Sequence, residues 1–215
     1  MPRRDPLRSQ LLAFTPADEA EAVHRRRMLE LIEGEGDPFS RSHFVPGHFT
    51  ASAFVLSPDL EGLLLIFHGK FHRWLQPGGH VDPDDRDLAA AARREVLEEA
   101  GINVQRSTSN VQRSIEPDRP AGRWTLDVER WTLNVDVVFD LDIHPIPANP
   151  RKSEPAHEHF DVRFLFQATA HEFQAGSDAK DARWVALDEV TEELTDASVV
   201  RAVRKLRSLR SSALL

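Results

Sequence analysis

The chain predicts an α/β layered domain preceded by a helical extension, and three observations carry that prediction. Short apolar runs of strand character ("HFTASAFVLS", "GLLLIFH", "HFDVRFLFQATA", "ARWVAL") recur from Phe49 onward. They surround one alanine-rich helical segment, Leu88 to Ala100, and a first helical pattern stands ahead of them all. Strands around single helices imply helical layers packed on a sheet. With 215 residues, 40% of them hydrophobic, the chain can bury one sizeable core with a helix or two appended. We place the extension at residues 1–46 and the domain at residues 47–210.

The elements follow in order. Thr15 is the expected N-cap of the first helix, Pro16 suits its first turn, and Asp18 completes a capping-box-like pattern. Val23, Leu29 and Ile32 fall along one stripe, and Gly34 and Gly36 end the helix. "PDLEG" between the first two strands is hairpin chemistry. Gly78-Gly79 reads as a turn, the Asp-rich loop "DPDDRD" follows, and Asp84 or Asp87 caps the alanine-rich helix, which Gly101 closes. Further strands are expected near residues 133–144, 159–170 and 182–187, with a closing helix from about residue 188 or 198.

Composition narrows the function classes. A formal net charge of −8 opposes broad nucleic-acid binding, which needs a basic footprint. No apolar run approaches the roughly 20 residues that span a bilayer, and the charged start "MPRRDPLRSQLLAF" has too short an apolar stretch for a signal peptide. The absence of cysteine fits a reducing compartment, so a cytoplasmic location is expected. A phosphate substrate would then need something other than net charge to attract it.

Two tandem duplications interrupt the pattern. "NVQRSTS" from Asn103 is followed by "NVQRSIE", and "RWTLDVE" from Arg123 by "RWTLNVD". Seven is odd and strand side chains alternate with period two, so two copies in one strand would face opposite ways. One copy of each is expected to bulge out, with Trp124 and Trp131 differently buried.

The chemistry concentrates in "LQPGGHVDPDDRDLAAAARREVLEEAGI". At about 100° per residue, Glu98 and Glu99 flank Glu95 on one helix face, while Ala89, Val96 and Ala100 gather opposite. Arg94 reaches Glu98 at the i,i+4 spacing, yet one arginine cannot neutralise three carboxylates, and each exposed like-charge pair costs a few tenths of a kcal/mol, roughly. A solvated acidic face would tolerate that cost; a divalent cation would turn it into binding. All-oxygen ligation suits Mg²⁺ or Mn²⁺.

The order of residues around these glutamates resembles the box of the Nudix hydrolase family, G-x5-E-x7-R-E-U-x-E-E-x-G-U with U a bulky aliphatic. Arg94, Glu95, Val96, Glu98, Glu99, Gly101 and Ile102 match its right half. On the left, Gly79 fits, Asp85 stands in place of Glu, and eight residues instead of seven separate it from Arg94. The resemblance implies a mixed-sheet α/β/α sandwich and a metal-dependent pyrophosphohydrolase cleaving a nucleoside diphosphate linked to another moiety. It implies Glu95, Glu98 and Glu99 as ligands of Mg²⁺ or Mn²⁺, the Gly79 carbonyl as a further ligand, Arg94 as the group that orients a glutamate, and Glu98 or Glu99 as acceptor of the water's proton. Asp85 is expected to shape its loop and not to hold metal. The alternatives are a catalytically silent ligand-sensing or partner-binding domain on the same fold, and a different reaction such as isomerisation.

A second constellation is "HEHFDVRF". As a strand it sends Phe160, Val162, Phe164 and Phe166 to one face, which is core, and His157, His159, Asp161 and Arg163 to the other. That polar face can line the substrate groove, bind metal through His-x-His-x-Asp, or be the hydrated side of the sheet. His80, next to Gly79, is placed for a phosphate contact or for a structural role. The expected partner is a small nucleoside diphosphate derivative, with no membrane, and a homodimer stays open. Pro117 lies fifteen residues after Ile102, as in some ADP-ribose hydrolases of the family, but the duplication shifts that count by seven. The tyrosine common in diadenosine-polyphosphate hydrolases is missing, since the chain has none.

Overall fold

The sheet is built outward from β1 (Gly47–Leu56), which is buried at every position. In a computed structural model that describes residues 3–69, 72–105, 136–173 and 179–213, β1 runs parallel to β6 (His157–Gln167) from Gly47 opposite Glu158 to Leu56 opposite Gln167. Two strands share its other edge. β4 (Gly78–His80) pairs with its first half, Thr50 facing His80 and Ser52 facing Gly78, while β2 (Gly62–His68) meets its end at Leu56 and Leu63. β5 (Val138–Ile146) lies antiparallel outside β6, and β2 carries β3 (Arg73–Leu75) and β7 (Ala179–Ala186). The path is β3-β2-β1-β6-β5, one parallel pair in a sheet otherwise antiparallel.

Helices cover both faces, which is why β1 is apolar almost throughout. On one side Phe49, Ala51 and Val55 pack with Leu7 and Leu11 of α1 (Arg4–Ala13), Met28 and Leu31 of α2 (Glu19–Glu33), and Ala92 and Val96 of α3 (Leu88–Ala100). On the other, Phe54, Leu56, Leu65 and Leu165 pack against Val199, Ala202 and Leu206 of α4 (Ala197–Ala213). The result is a mixed-sheet α/β/α sandwich. Phe160, Val162, Phe164 and Phe166 of β6 all enter the first core, each fully buried side chain being worth about 1.5–3 kcal/mol.

Three expectations change. The cap of α2 is Asp18, three residues after Thr15: it accepts from Glu21 N at 2.8 Å while Glu21 Oε2 accepts from Ala17 N at 2.6 Å, a reciprocal box that Thr15 cannot close. α1 was not anticipated, because its buried face is just Leu7 and Leu11. Gly78-Gly79 is a strand, not a turn. A Cβ at Gly78 would lie 2.3 Å from Ser52 Cβ, so only bare backbone can pair that closely with β1.

Both duplications fall almost wholly within residues 106–135, outside the described residues, as do Pro117, Trp124 and Trp131. Among the described residues no helix is long and apolar enough to cross a membrane.

Candidate active site

α3 presents its carboxylates to β4. Asp87 caps the helix by accepting from Ala90 N at 2.7 Å, and Gly101 ends it at φ 64°, the left-handed conformation glycine adopts without strain. Ala89, Val96 and Ala100 are buried, which turns the opposite side of α3 toward Gly78 and Gly79. Glu99 Oε2 accepts from Gly78 N at 2.9 Å. The Glu95 carboxylate lies where a side chain at Gly79 would begin: a Cβ there would sit 2.6 Å from Oε1. A side chain at Gly79 would displace the Glu95 carboxylate from this position.

Arg94 ties the cluster together. It donates to both oxygens of Asp85 (3.2 and 2.9 Å), to Glu95 Oε1 (2.8 Å), to Glu98 Oε2 (3.0 Å) and to the His80 carbonyl (2.9 Å). The hydrogen bonds to Asp85, ahead of those to Glu95, hold its pKa well above the usual arginine value. Burial raises Glu95 against the hydrogen bond and charge of Arg94, and the charges of Glu98 and Asp82 add to the rise. Asp85 is buried, its carboxylate taken by Arg94 and by Asp82 N at 2.8 Å. The structure thus brings Gly79, Arg94, Glu95, Glu98 and Glu99 to one junction of β4 and α3.

The donors available there are carboxylate oxygens and the backbone of Gly79. That is the hard oxygen set Mg²⁺ or Mn²⁺ takes, and the missing side chain at Gly79 leaves an acid against main chain. Glu95 and Glu98 are turned onto Arg94 and Glu99 onto Gly78 N, so the three acids do not converge on a single point.

On the other face of the sheet, His80 joins a cluster the sequence showed only in part. Its ring lies 5.2 Å from that of His48 and 5.1 Å from that of His159, and His157 and His144 lie 5.3 and 5.5 Å from His159. Burial, with the positive charge of Arg41 and Lys152 nearby, pushes the His80 pKa down to about 4. Burial likewise lowers His48 to about 4 and His159 further.

Asp161 and Arg163 sit deeper, so the hydrated-surface reading of this face is overturned by their burial. Arg163 is enclosed by Asp161 (2.9 Å), Asp142 (3.1 Å), Asp140 (3.3 Å) and Ser198 (2.8 Å). Asp161 also accepts from Thr50 and Ser52. The sequence reading missed His48, His144, Asp140 and Asp142. The signal was present in alternation: His48, Thr50 and Ser52 share one face of a strand otherwise read as apolar.

The NUDIX domain family model matches residues 46–205, and the chain belongs to the Nudix family. It is 45% identical over 49 residues to a mouse bis(5'-nucleosyl)-tetraphosphatase (asymmetrical), an alignment covering 23% of this chain and 33% of that protein. The rat enzyme of the same name is 39% identical over 64 residues, 30% of this chain and 38% of its own. The chain thus spans about a third of the length of these relatives. Among solved structures, a NUDIX-family hydrolase from Clostridium perfringens is 23% identical with a TM-score of 0.47, over 75% of this chain and 97% of its own. An Ap4A hydrolase of C. elegans is 16% identical at 0.46, over 76% and 98%.

Proposed function

We propose that this protein is a metal-dependent pyrophosphohydrolase cleaving a nucleoside diphosphate linked to another moiety, and that dinucleoside polyphosphates are the first members of that class to try. The observation that carries the reading is the junction of β4 and α3: Arg94 grips Asp85, Glu95 and Glu98 while Glu95 and Glu99 rest against Gly79 and Gly78. The names of the mammalian relatives support the dinucleoside choice.

In this reading Glu95, Glu98, Glu99 and the Gly79 carbonyl hold Mg²⁺ or Mn²⁺, which when bound neutralises pyrophosphate charge and lowers the pKa of a water. The chain's own residues do the rest. Arg94 fixes Glu95 and Glu98 against each other's repulsion. Glu98, the more exposed of the two, or Glu99 accepts the water's proton as that water attacks phosphorus and the bridging oxygen leaves. Arg41 and Lys152, whose charge reaches His80, supply the local attraction for phosphate that a net charge of −8 lacks. His80, His157 and His159 border that region. We assign Asp161 and Arg163 to the scaffold and not to substrate, because their polar atoms are taken by Asp140, Asp142, Ser198, Thr50 and Ser52. Residues 47–210 are the catalytic unit and residues 1–46 its helical extension.

The test is product analysis after incubation with diadenosine tetraphosphate, ADP-ribose and other nucleoside diphosphate derivatives. Cleavage of at least one is expected with Mg²⁺ or Mn²⁺ and not with excess chelator. Undiminished hydrolysis in chelator would remove the metal from the mechanism; no turnover across the panel would favour a silent binding domain.

A further inference from the structure

We propose that His48, His157 and His159 form a second metal site, separate from the box carboxylates, that takes Zn²⁺ or a similar imidazole-seeking transition ion. The proposal goes beyond the hydrolase reading and does not depend on it. The three residues each offer a ring nitrogen, and those nitrogens all lie within 4.8 Å of one another. A tetrahedral ion at about 2.0–2.1 Å from each nitrogen holds them roughly 3.3 Å apart, so small side-chain rotations close the site.

Hydrogen bonding decides which atoms point inward. His48 Nδ1 lies 3.1 Å from the His43 carbonyl oxygen, and His157 Nδ1 lies 2.8 Å from that of Pro155. A carbonyl can only accept, so each Nδ1 carries the proton and each Nε2 is left with a bare lone pair. A histidine that donates its other N–H to a carbonyl is the usual arrangement behind a metal ligand.

The second observation is an orphaned acceptor. His48 is 1% exposed, and its Nε2 is buried with no hydrogen-bond partner. Stranding such an atom costs about 1–3 kcal/mol. The rings around it at 4.9–5.2 Å belong to His157, His159 and His80, and none of them donates to it. A cation meets the need of all three lone pairs at once. Burial keeps His48 and His159 uncharged near neutrality, the state a ligand requires. Phe44, with its ring 5.1 Å from that of His157 and 6.4 Å from that of His48, covers one side. Three protein nitrogens leave a fourth position for water or a phosphate oxygen, and His80, bonded through its carbonyl to Arg94, connects this cluster to the box.

Co²⁺ is the probe, because a low-coordinate nitrogen site gives intense visible bands and an octahedral oxygen site gives faint ones. The metal-stripped full chain, held in excess Mg²⁺ to fill the carboxylates, is titrated with Co²⁺ and then with Zn²⁺. Intense bands saturating at one equivalent and abolished by Zn²⁺ are expected. His48→Asn and His157→Asn, which keep the Nδ1-side hydrogen bond and remove Nε2, should weaken binding at least about tenfold. His171→Asn, outside the cluster, and Glu98→Gln should leave it unchanged. If His48→Asn fails to fold, His159→Gln, at a less buried position, replaces it. Absence of intense bands, or binding lost in Glu98→Gln and retained in the histidine variants, would overturn the proposal.

Discussion

Arg94 meets four carboxylates and Arg163 three, yet they solve opposite problems. The Arg163 side chain is 2% exposed and its partners Asp140, Asp142 and Asp161 are 0–9% exposed. The buried acids gather further partners: Arg201 reaches Asp140 at 3.0 Å, Lys205 reaches Glu21 at 2.6 Å, and Thr50 and Ser52 bond to Asp161. Arg94 is 23% exposed, and its partners run from Asp85 at 8% to Glu98 at 57% and Asp82 at 58%. One cluster is balanced and closed, whereas the other keeps surplus negative charge at an opening. Burial forces the balance in the first case, because an unpaired buried ion costs several kcal/mol. Solvent permits the imbalance in the second, and an imbalance facing solvent can recruit a cation.

The contrast breaks most visibly at the arginines. Arg163→Met should cost about 3–5 kcal/mol of stability by stranding three buried acids, read by urea unfolding, whereas Arg94→Met should cost less, because Asp82 and Glu98 stay solvated and only Asp85 and Glu95 lose a partner away from water. Equal losses would mean that the two clusters are alike in energy. Glu98→Gln reverses the pattern: stability in chelator should stay within a few tenths of a kcal/mol, while kcat falls on the order of a hundredfold or more. In saturating Mg²⁺ the wild type should melt higher and the variant should gain less.

Asp140 sharpens the comparison through pH. Burial pushes its pKa up to about 7 against the pull of Arg163, and its Oδ1 has no partner unless a proton is shared with Glu21. Because the folded pKa lies above the unfolded one, this group's contribution is full below about pH 4 and is lost as pH rises through about 7. Asp140→Asn removes that slope, so the variant should gain on the order of 2–3 kcal/mol over wild type between pH 5 and pH 8. A constant difference across that range would show the acid ionised throughout. The smallest effect is expected at Asp85→Ala, where loosening Arg94 should lower kcat about tenfold, well short of Glu98→Gln. Equal losses would bring Asp85 directly to the metal.

What could be read from the sequence follows the same division. The box helix, its cap at Asp87 and stop at Gly101, and the apolar face of β6 were legible because each depends on local spacing. The buried network was not, since Glu21, Asp140, Asp142 and Arg163 meet only when α2, β5 and β6 pack, at sequence separations no periodicity reveals. β4 was misread for a related reason. Gly78-Gly79 has the local chemistry of a turn, and only the proximity of Ser52 and Glu95 explains why side chains are missing from a strand.

That strand gives the protein a built-in spectroscopic reporter. The Gly78 amide donates to the Glu99 carboxylate, so its proton resonance should lie downfield while Glu99 is an ionised acceptor and move upfield when a cation takes that oxygen. A single backbone signal, in a residue type easily assigned by its lack of a side chain, would follow occupancy of the carboxylate site without substrate or turnover.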